Sequence, residues 1–197
     1  MKLIAATNNA HKLEEIRAIL ADSGVELLSM RDAGLSMEIE ENGVTFEENA
    51  MIKAKAVYEA TGIPAIGDDS GLEIDALGGA PGVYSARYAG EGASDLDRIH
   101  KVWRELGDTP DDKRGAQFVC TVACILDEKT SFTVRGICRG RILRECRGEG
   151  GFGYDPCFLV PSLGKTYSEL KPEEKNAISH RGNALKLFVE TLKTYVK

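Results

Sequence analysis

The sequence is short of the features that mark a disulfide scaffold, a membrane protein or a nucleic-acid binder. Its five cysteines, Cys120, Cys124, Cys138, Cys146 and Cys157, are an odd number. They form no Cys-x-x-Cys pair and stand at no zinc-like spacing from His11, His100 or His180. Free, mostly buried thiols in a reducing compartment follow from that. No apolar run approaches the roughly 20 residues that a membrane span needs. A structured run begins almost at Met1, which leaves no room for a secretory leader. A cytoplasmic protein with no membrane partner is expected. Basic excess is missing too: the formal net charge is -6 and the isoelectric point about 5.2. A protein that lives on nucleic acid carries a basic patch large enough to tilt that total, so no nucleic-acid partner is expected. A small basic pocket for one phosphorylated ligand is compatible with it. There is no Gly-x-x-x-x-Gly-Lys-[Ser/Thr] phosphate loop. Gly148-x-Gly150-x-x-Gly153 matches a dinucleotide fingerprint only formally. It leads into Tyr154-Asp155-Pro156 and a strand-like Cys157–Val160, where the fingerprint requires a helix.

What is present reads as α/β. At 197 residues the chain is one domain or two closely joined lobes. A chain of that length buries about 70% of its unfolded surface and needs no covalent staple. Lys2–Ala6 is a buried strand that stops at Thr7-Asn8-Asn9. A helix follows, with Leu13, Ile16, Ile19 and Leu20 on one face and Lys12, Glu14, Glu15 and Arg17 outside. Gly24 ends it, and Val25–Ser29 is a second strand. Strand, polar loop, helix, strand opens an α/β layer structure. The loop has two readings: ordinary helix capping, or an anion site made by free N–H groups, the helix dipole and Lys12.

Thr45-x-x-Glu48 predicts a capping box opening a helix that runs to Thr61 and stops at Gly62 and Pro64. Lys53 lies in its apolar stripe of Phe46, Ala50, Val57 and Ala60. Such a lysine either snorkels outward or meets an anion. Ser94-x-x-Asp97 caps a helix with the stripe Leu96, Ile99, Val102, Trp103 and Leu106. Ala116–Leu126 and Ser131–Cys138 read as a hairpin. The last helix has Leu185, Phe188, Leu192 and Tyr195 on its buried face. His180 and Arg181 stand at its start, where cations oppose the macrodipole, a local conflict that points to function.

The stretch Ile66-Gly67-Asp68-Asp69-Ser70-Gly71 is the chemical centre of this pattern. Alone, two adjacent aspartates after a short apolar run read first as a turn. On extended backbone they point in opposite directions, and the pair also suits a divalent metal or general-base chemistry. Asn8, Asn9, Lys12, Lys53, Lys175 and Arg181 can hold phosphate oxygens or other acceptors. Glu40, Asp68 and Asp69 are hard oxygen ligands suited to magnesium. Phe152 and Tyr154, set among glycines, can take a planar ring or fill core. Together they describe a magnesium–nucleotide site.

Six motifs then carry a resemblance: Thr7-Asn-Asn-Ala-His-Lys12, Glu40 through Ala50, Asp68-Asp-Ser-Gly71, Gly78 through Arg87, Gly151-Phe-Gly-Tyr-Asp-Pro156, and Glu174-Lys-Asn-x-x-Ser-His-Arg181. In this order, over nearly the whole chain, they resemble the inosine triphosphate pyrophosphatase family, the Ham1-like non-canonical purine nucleoside triphosphatases, and its bacterial members above all. The resemblance implies hydrolysis of ITP, dITP and XTP to the monophosphate and pyrophosphate. It implies an elongated two-lobed α/β fold with a long central mixed sheet flanked by helices, an active-site cleft between the lobes, and a homodimer. By position, Thr7, Asn8, Asn9, Ala10, His11 and Lys12 would bind the triphosphate with support from Lys53. Asn9 stands where the family often has glycine. Glu40, Asp68 and Asp69 would hold Mg2+, with Asp69 as general base, and Ser70 would touch the nucleotide. Phe152, Gly153, Tyr154, Asp155, Lys175, His180 and Arg181 would form the base pocket, with Arg181 and His180 donating to a 6-oxo group. A metal-bound carboxylate is a poor base, so the division of labour between Asp68 and Asp69 stays open. A pyrophosphatase for other nucleotides and a non-catalytic nucleotide binder are the alternatives.

Overall fold

The computed structural model describes residues 1–195. In chain order its main elements are β1 Lys2–Ala5, α1 Ala10–Leu20, β2 Glu26–Ser29, α2 Phe46–Thr61, β3 Ala65–Ile74, α3 Asp95–Leu106, β4 Gly115–Ile125, β5 Ser131–Ile142, β6 Phe158–Val160, β7 Lys165–Thr166, α4 Pro172–Ile178 and α5 His180–Tyr195. The strands hydrogen-bond in the order β2-β1-β3-β4-β5-β6-β7. β1 runs parallel to β2 and β3, whereas β5–β6 and β6–β7 are antiparallel. This is the mixed sheet flanked by helices that the family resemblance implies. No helix among the described residues is long and apolar enough to cross a membrane.

The chain divides into two compact units. Among the described residues, the first comprises 1–69, 120–136 and 180–195. Strand β1 lies inside it, and its alternating side chains feed two clusters. Leu3 and Ala5 pack with Ile16, Leu20, Ile66, Val122 and Phe188, and Ile4 and Ala6 pack with Met30, Val57 and Ala65. Two glycines set how closely helices approach strands here. A Cβ on Gly67 would lie 2.1 Å from the Ala50 carbonyl oxygen, so α2 sits directly on β3. A Cβ on Gly136 would lie 2.2 Å from Ala184 N and 2.3 Å from the His180 oxygen, which fixes the start of α5 against β5.

The second unit, residues 70–119 and 137–179, has its own core of Leu72, Ile74, Ile99, Val102, Leu106, Phe118, Phe158 and Tyr167. Phe118 meets Phe158 edge-on at 4.7 Å between ring centroids and stacks on Tyr167 at 5.4 Å. Helix α3 begins with the full Ser94–Asp97 capping box.

Several local expectations change. Asp68 and Asp69 are not a turn, because β3 runs unbroken from Ala65 to Ile74. In α2, Thr45 accepts from the Glu48 N–H as foreseen, but the Glu48 carboxylate accepts from Val44 N–H at 2.7 Å, one residue beyond the cap. Leu96 and Tyr195 are 50% exposed, so the apolar stripes of α3 and α5 stop short of those ends. Strand β5 continues to Ile142, past the expected Cys138.

Candidate active site

The polar centre of the first unit is built on β3, α1, α2 and α5. Asp68 and Asp69 are neighbours on an extended backbone, so their side chains leave opposite faces, and each meets a different set of cations. Both are buried.

Asp68 lies in a saturated network. Lys12 Nζ stands 2.6 Å from Oδ1. Arg181 donates to it twice, from Nε at 3.1 Å and Nη2 at 3.4 Å. Cys120 donates its S–H at 2.9 Å. Burial alone would raise its pKa, but Arg181, Lys12 and the Cys120 hydrogen bond overcome it and hold the carboxyl well below the ordinary 3.8. Burial and the Asp68 charge push the Cys120 thiol well up, so it remains a donor. On its other side Arg181 donates from Nη1 to Glu15.

Asp69 is placed differently. Lys53 Nζ is 3.3 Å from Oδ1 and 2.6 Å from the Glu41 carboxylate. Lys53 is only 6% exposed, so the lysine of the apolar stripe meets anions and does not snorkel. Burial raises the Asp69 pKa; Lys53 and Lys12 oppose this, while Glu41 and Asp68 add to it, and the net shift is upward from 3.8. Desolvation would lower the Lys53 pKa, but Asp69 and Glu41 outweigh it and raise it. Asp69 Oδ2 is buried with no hydrogen-bond partner among the described residues. A buried acceptor left open is costly unless something else satisfies it.

Around this centre, Asn9 caps α1 by accepting from Lys12 N–H at 3.1 Å, and Thr7 accepts from Asn9 N–H at 3.1 Å. Asn8 donates to the Met37 carbonyl at 3.2 Å. Ala10 and His11 are exposed at the start of α1. Capping therefore accounts for part of the loop, and Lys12 supplies its charge.

The second unit holds the other expected group. Lys175 donates to Asp155 at 2.7 Å, both buried. Its ammonium lies 4.8 Å from the Phe152 ring centre and 5.5 Å from that of Tyr167. Asp155 also accepts from Phe152 N–H at 3.0 Å, and a Cβ on Gly151 would lie 2.2 Å from the same carboxylate. Gly153 N–H donates to Asp95, and Tyr154 donates its hydroxyl to the Ser85 carbonyl at 2.8 Å. Tyr154 is core, and Phe152 is the half-buried ring. Ser70 is half-buried at the start of this unit.

Within the first unit the structure thus gathers Lys12, Lys53, Asp68, Asp69 and Arg181, with buried His180 next to Arg181 in α5. Glu40 is exposed, and the acid beside Lys53 is Glu41. Three members escaped sequence reading: Glu41, Glu15 and Cys120. For Glu15 a signal existed, since it follows Lys12 by three residues on α1 and shares its face.

Magnesium fits this donor set. No group of three or more His, Cys, Asp or Glu residues forms a self-sufficient cage among the described residues. Mg2+ is commonly held by one or two carboxylates plus substrate phosphates and water, and the open Oδ2 of Asp69 is the kind of donor it takes.

Fold and site together define a mixed α/β protein in which an interior strand, β3, presents two adjacent carboxylates in unlike charge surroundings. The model of the Ham1 family matches residues 3–191. The chain is 50% identical to a dITP/XTP pyrophosphatase of Shigella flexneri and 47% identical to one of Escherichia coli K12, over 98% of each chain. A HAM1 protein from Coxiella burnetii has 44% identity and a TM-score of 0.89, covering 98% of this chain and 99% of its own. The Staphylococcus aureus Ham1 protein follows at 40% and 0.88, covering 99% and 100%. The chain belongs to the Ham1 family.

Proposed function

We propose that this chain is a magnesium-dependent hydrolase that cleaves non-canonical purine nucleoside triphosphates, dITP, ITP and XTP, to the monophosphate and pyrophosphate. The observation that carries the reading is the asymmetry of the two aspartates. Asp68 is held as an anion by Lys12 and Arg181, whereas Asp69 has a raised pKa and one buried oxygen with no partner. A carboxylate with an open lone pair and higher basicity is suited to orienting or deprotonating water. The names of the relatives, dITP/XTP pyrophosphatase, support the substrate class.

In this reading the Thr7–Lys12 loop and Lys12 take the phosphates, and Lys53 holds Asp69 in place. Magnesium, when bound, would supply charge neutralisation at the phosphate oxygens. Asp69, with Glu41 beside it on Lys53, would hold it together with substrate oxygens and water. Water oriented by Asp69 attacks the α-phosphorus in line and pyrophosphate leaves, with Lys12 absorbing developing charge. Phe152 offers a ring face for the purine, and Lys175, fixed by Asp155, a cationic donor. A 6-oxo group accepts from such donors, which the 6-amino group of adenine does not, and a missing designed hydrogen bond discriminates by about 10⁴. A homodimer and a cytoplasmic location belong to the same proposal.

The test is a panel of dITP, ITP, XTP, GTP, ATP, dUTP and dTTP with Mg2+, reading pyrophosphate and orthophosphate separately. Pyrophosphate from dITP, ITP and XTP is expected. Orthophosphate would indicate an ordinary phosphatase, and binding without turnover a regulator. In oxygen-18 water the label should enter the monophosphate; label in pyrophosphate would sink attack at the α-phosphorus.

A further inference from the structure

We propose that Asn49 is a positioning residue: it pins the loop before α2 at Gly43, so that Glu41 stands beside Asp69 where the two can share a magnesium ion. The proposal rests on the pyrophosphatase reading and deepens it.

Residues 35–43 form no helix or strand, yet this stretch carries Glu41 to the buried Lys53. Its backbone is held from outside. Near its start the Asn8 side chain donates to the Met37 carbonyl at 3.2 Å. At its end Gly43 N–H donates to Asn49 Oδ1 at 2.8 Å, and Val44 N–H donates to Glu48 at 2.7 Å. The last two bonds are unlike. Glu48 and Val44 are exposed, so water can replace their bond, whereas Asn49 is 1% exposed and its oxygen would lose a partner it cannot replace. Asparagine is also a poor helix former, and a buried one in the first half of α2 contradicts its local setting unless it has a tertiary task. The fit is close: a Cβ on Gly43 would lie 2.7 Å from Asn49 Oδ1 and 2.7 Å from Glu48 Cβ, so only glycine brings the loop this near the helix.

Asn49 and Lys53 are four residues apart on α2 and share a face. One helix face thus grips the loop twice, at Gly43 through Asn49 and at Glu41 through Lys53. Lys53 also reaches Asp69, so it is the group at which the two carboxylates meet. A lysine is a flexible point charge and does not fix a carboxylate's direction. The backbone anchor at Gly43, two residues beyond Glu41, does.

Asn49→Ala removes the acceptor, and Gly43→Ala wedges the loop away from it, so the two variants attack one contact from opposite sides. Three measurements apply to each: hydrogen exchange of the 38–44 amides in metal-free protein, the rise in melting temperature on adding Mg2+, and kcat for dITP as a function of Mg2+. Both variants should exchange faster in 38–44 and gain less from Mg2+. Both should need about 10–100-fold more Mg2+ for half-maximal kcat, the scale on which supporting partners act. At saturating Mg2+ most of kcat should return, with KM for dITP little changed. The double variant should be no worse than either single, because the two share one contact. A lowered melting temperature with an unchanged Mg2+ requirement would reduce Asn49 to a structural residue and overturn the proposal. So would a Gly43→Ala protein with wild-type Mg2+ dependence. Wild-type protein that Mg2+ stabilises but that leaves dITP intact would overturn the functional reading instead, and the Mg2+ melting shift would still decide the role of Asn49.

Discussion

Adjacent residues of one strand acquire different chemistry because the backbone sends their side chains to opposite faces. Asp68 enters a site where two cations and a thiol outweigh the cost of burial; Asp69 enters one where burial and two nearby carboxylates outweigh Lys53. The difference separates stability from activity. For Asp69 the folded pKa lies above the ordinary 3.8, so its contribution to stability is present below that value and lost as pH rises through the folded pKa. At neutral pH the ionised group is therefore a stability cost. Asp69→Asn should lower kcat by about 10²–10⁴, while calorimetry at neutral pH finds the melting temperature unchanged or raised, since Lys53 retains Glu41.

At the scale of elements, the site depends on how closely helices approach strands. Lys53 reaches Asp69 because Gly67 lets α2 rest its Ala50 carbonyl on β3, one helical turn before the lysine. Gly67→Ala places a methyl 2.1 Å from that oxygen, and neither partner is a flexible side chain that could yield. The helix must shift. Overpacking of this kind costs about 1–3 kcal/mol, and the urea midpoint should fall accordingly. Activity should fall further than stability, because Lys53 moves with the helix.

For the whole molecule, acid is the informative variable. The folded pKa of Asp68 is depressed, so its stabilisation is complete above 3.8 and lost as pH falls through the folded value. Asp68→Asn should destabilise the protein at neutral pH by about 3–5 kcal/mol, since Arg181 and Lys12 each lose a buried anionic partner. Its stability should also fall less steeply than that of the wild type below 3.8. Denaturant titrations across pH measure both, and parallel acid limbs would show that Asp68 is not the coupled group. Sedimentation of the intact chain checks the proposed homodimer.

Much of this was determined by sequence alone, where the physics is local. Asn9 and Ser94 cap their helices, Gly62 ends α2 in a left-handed conformation, and the apolar spacing of α1 and α2 finds their buried faces, except that Ala60 at the end of the α2 stripe is exposed. Those features need only residues a few positions apart. The candidate residues were legible too, because a lysine in an apolar stripe and cations at a helix start contradict their local setting. Tertiary structure decided what they do. Asp68–Asp69 reads as a turn until β3 takes its place between β1 and β4 and runs extended through both residues. Glu40 and Glu41 are equivalent in sequence until the loop presents Glu41 to Lys53. Arg181 stands at a helix start with no partner legible nearby in sequence, and the carboxylates it donates to lie 113 and 166 residues away. A charge on a buried side chain takes its role from whatever else is buried with it, and only the folded chain brings those groups together.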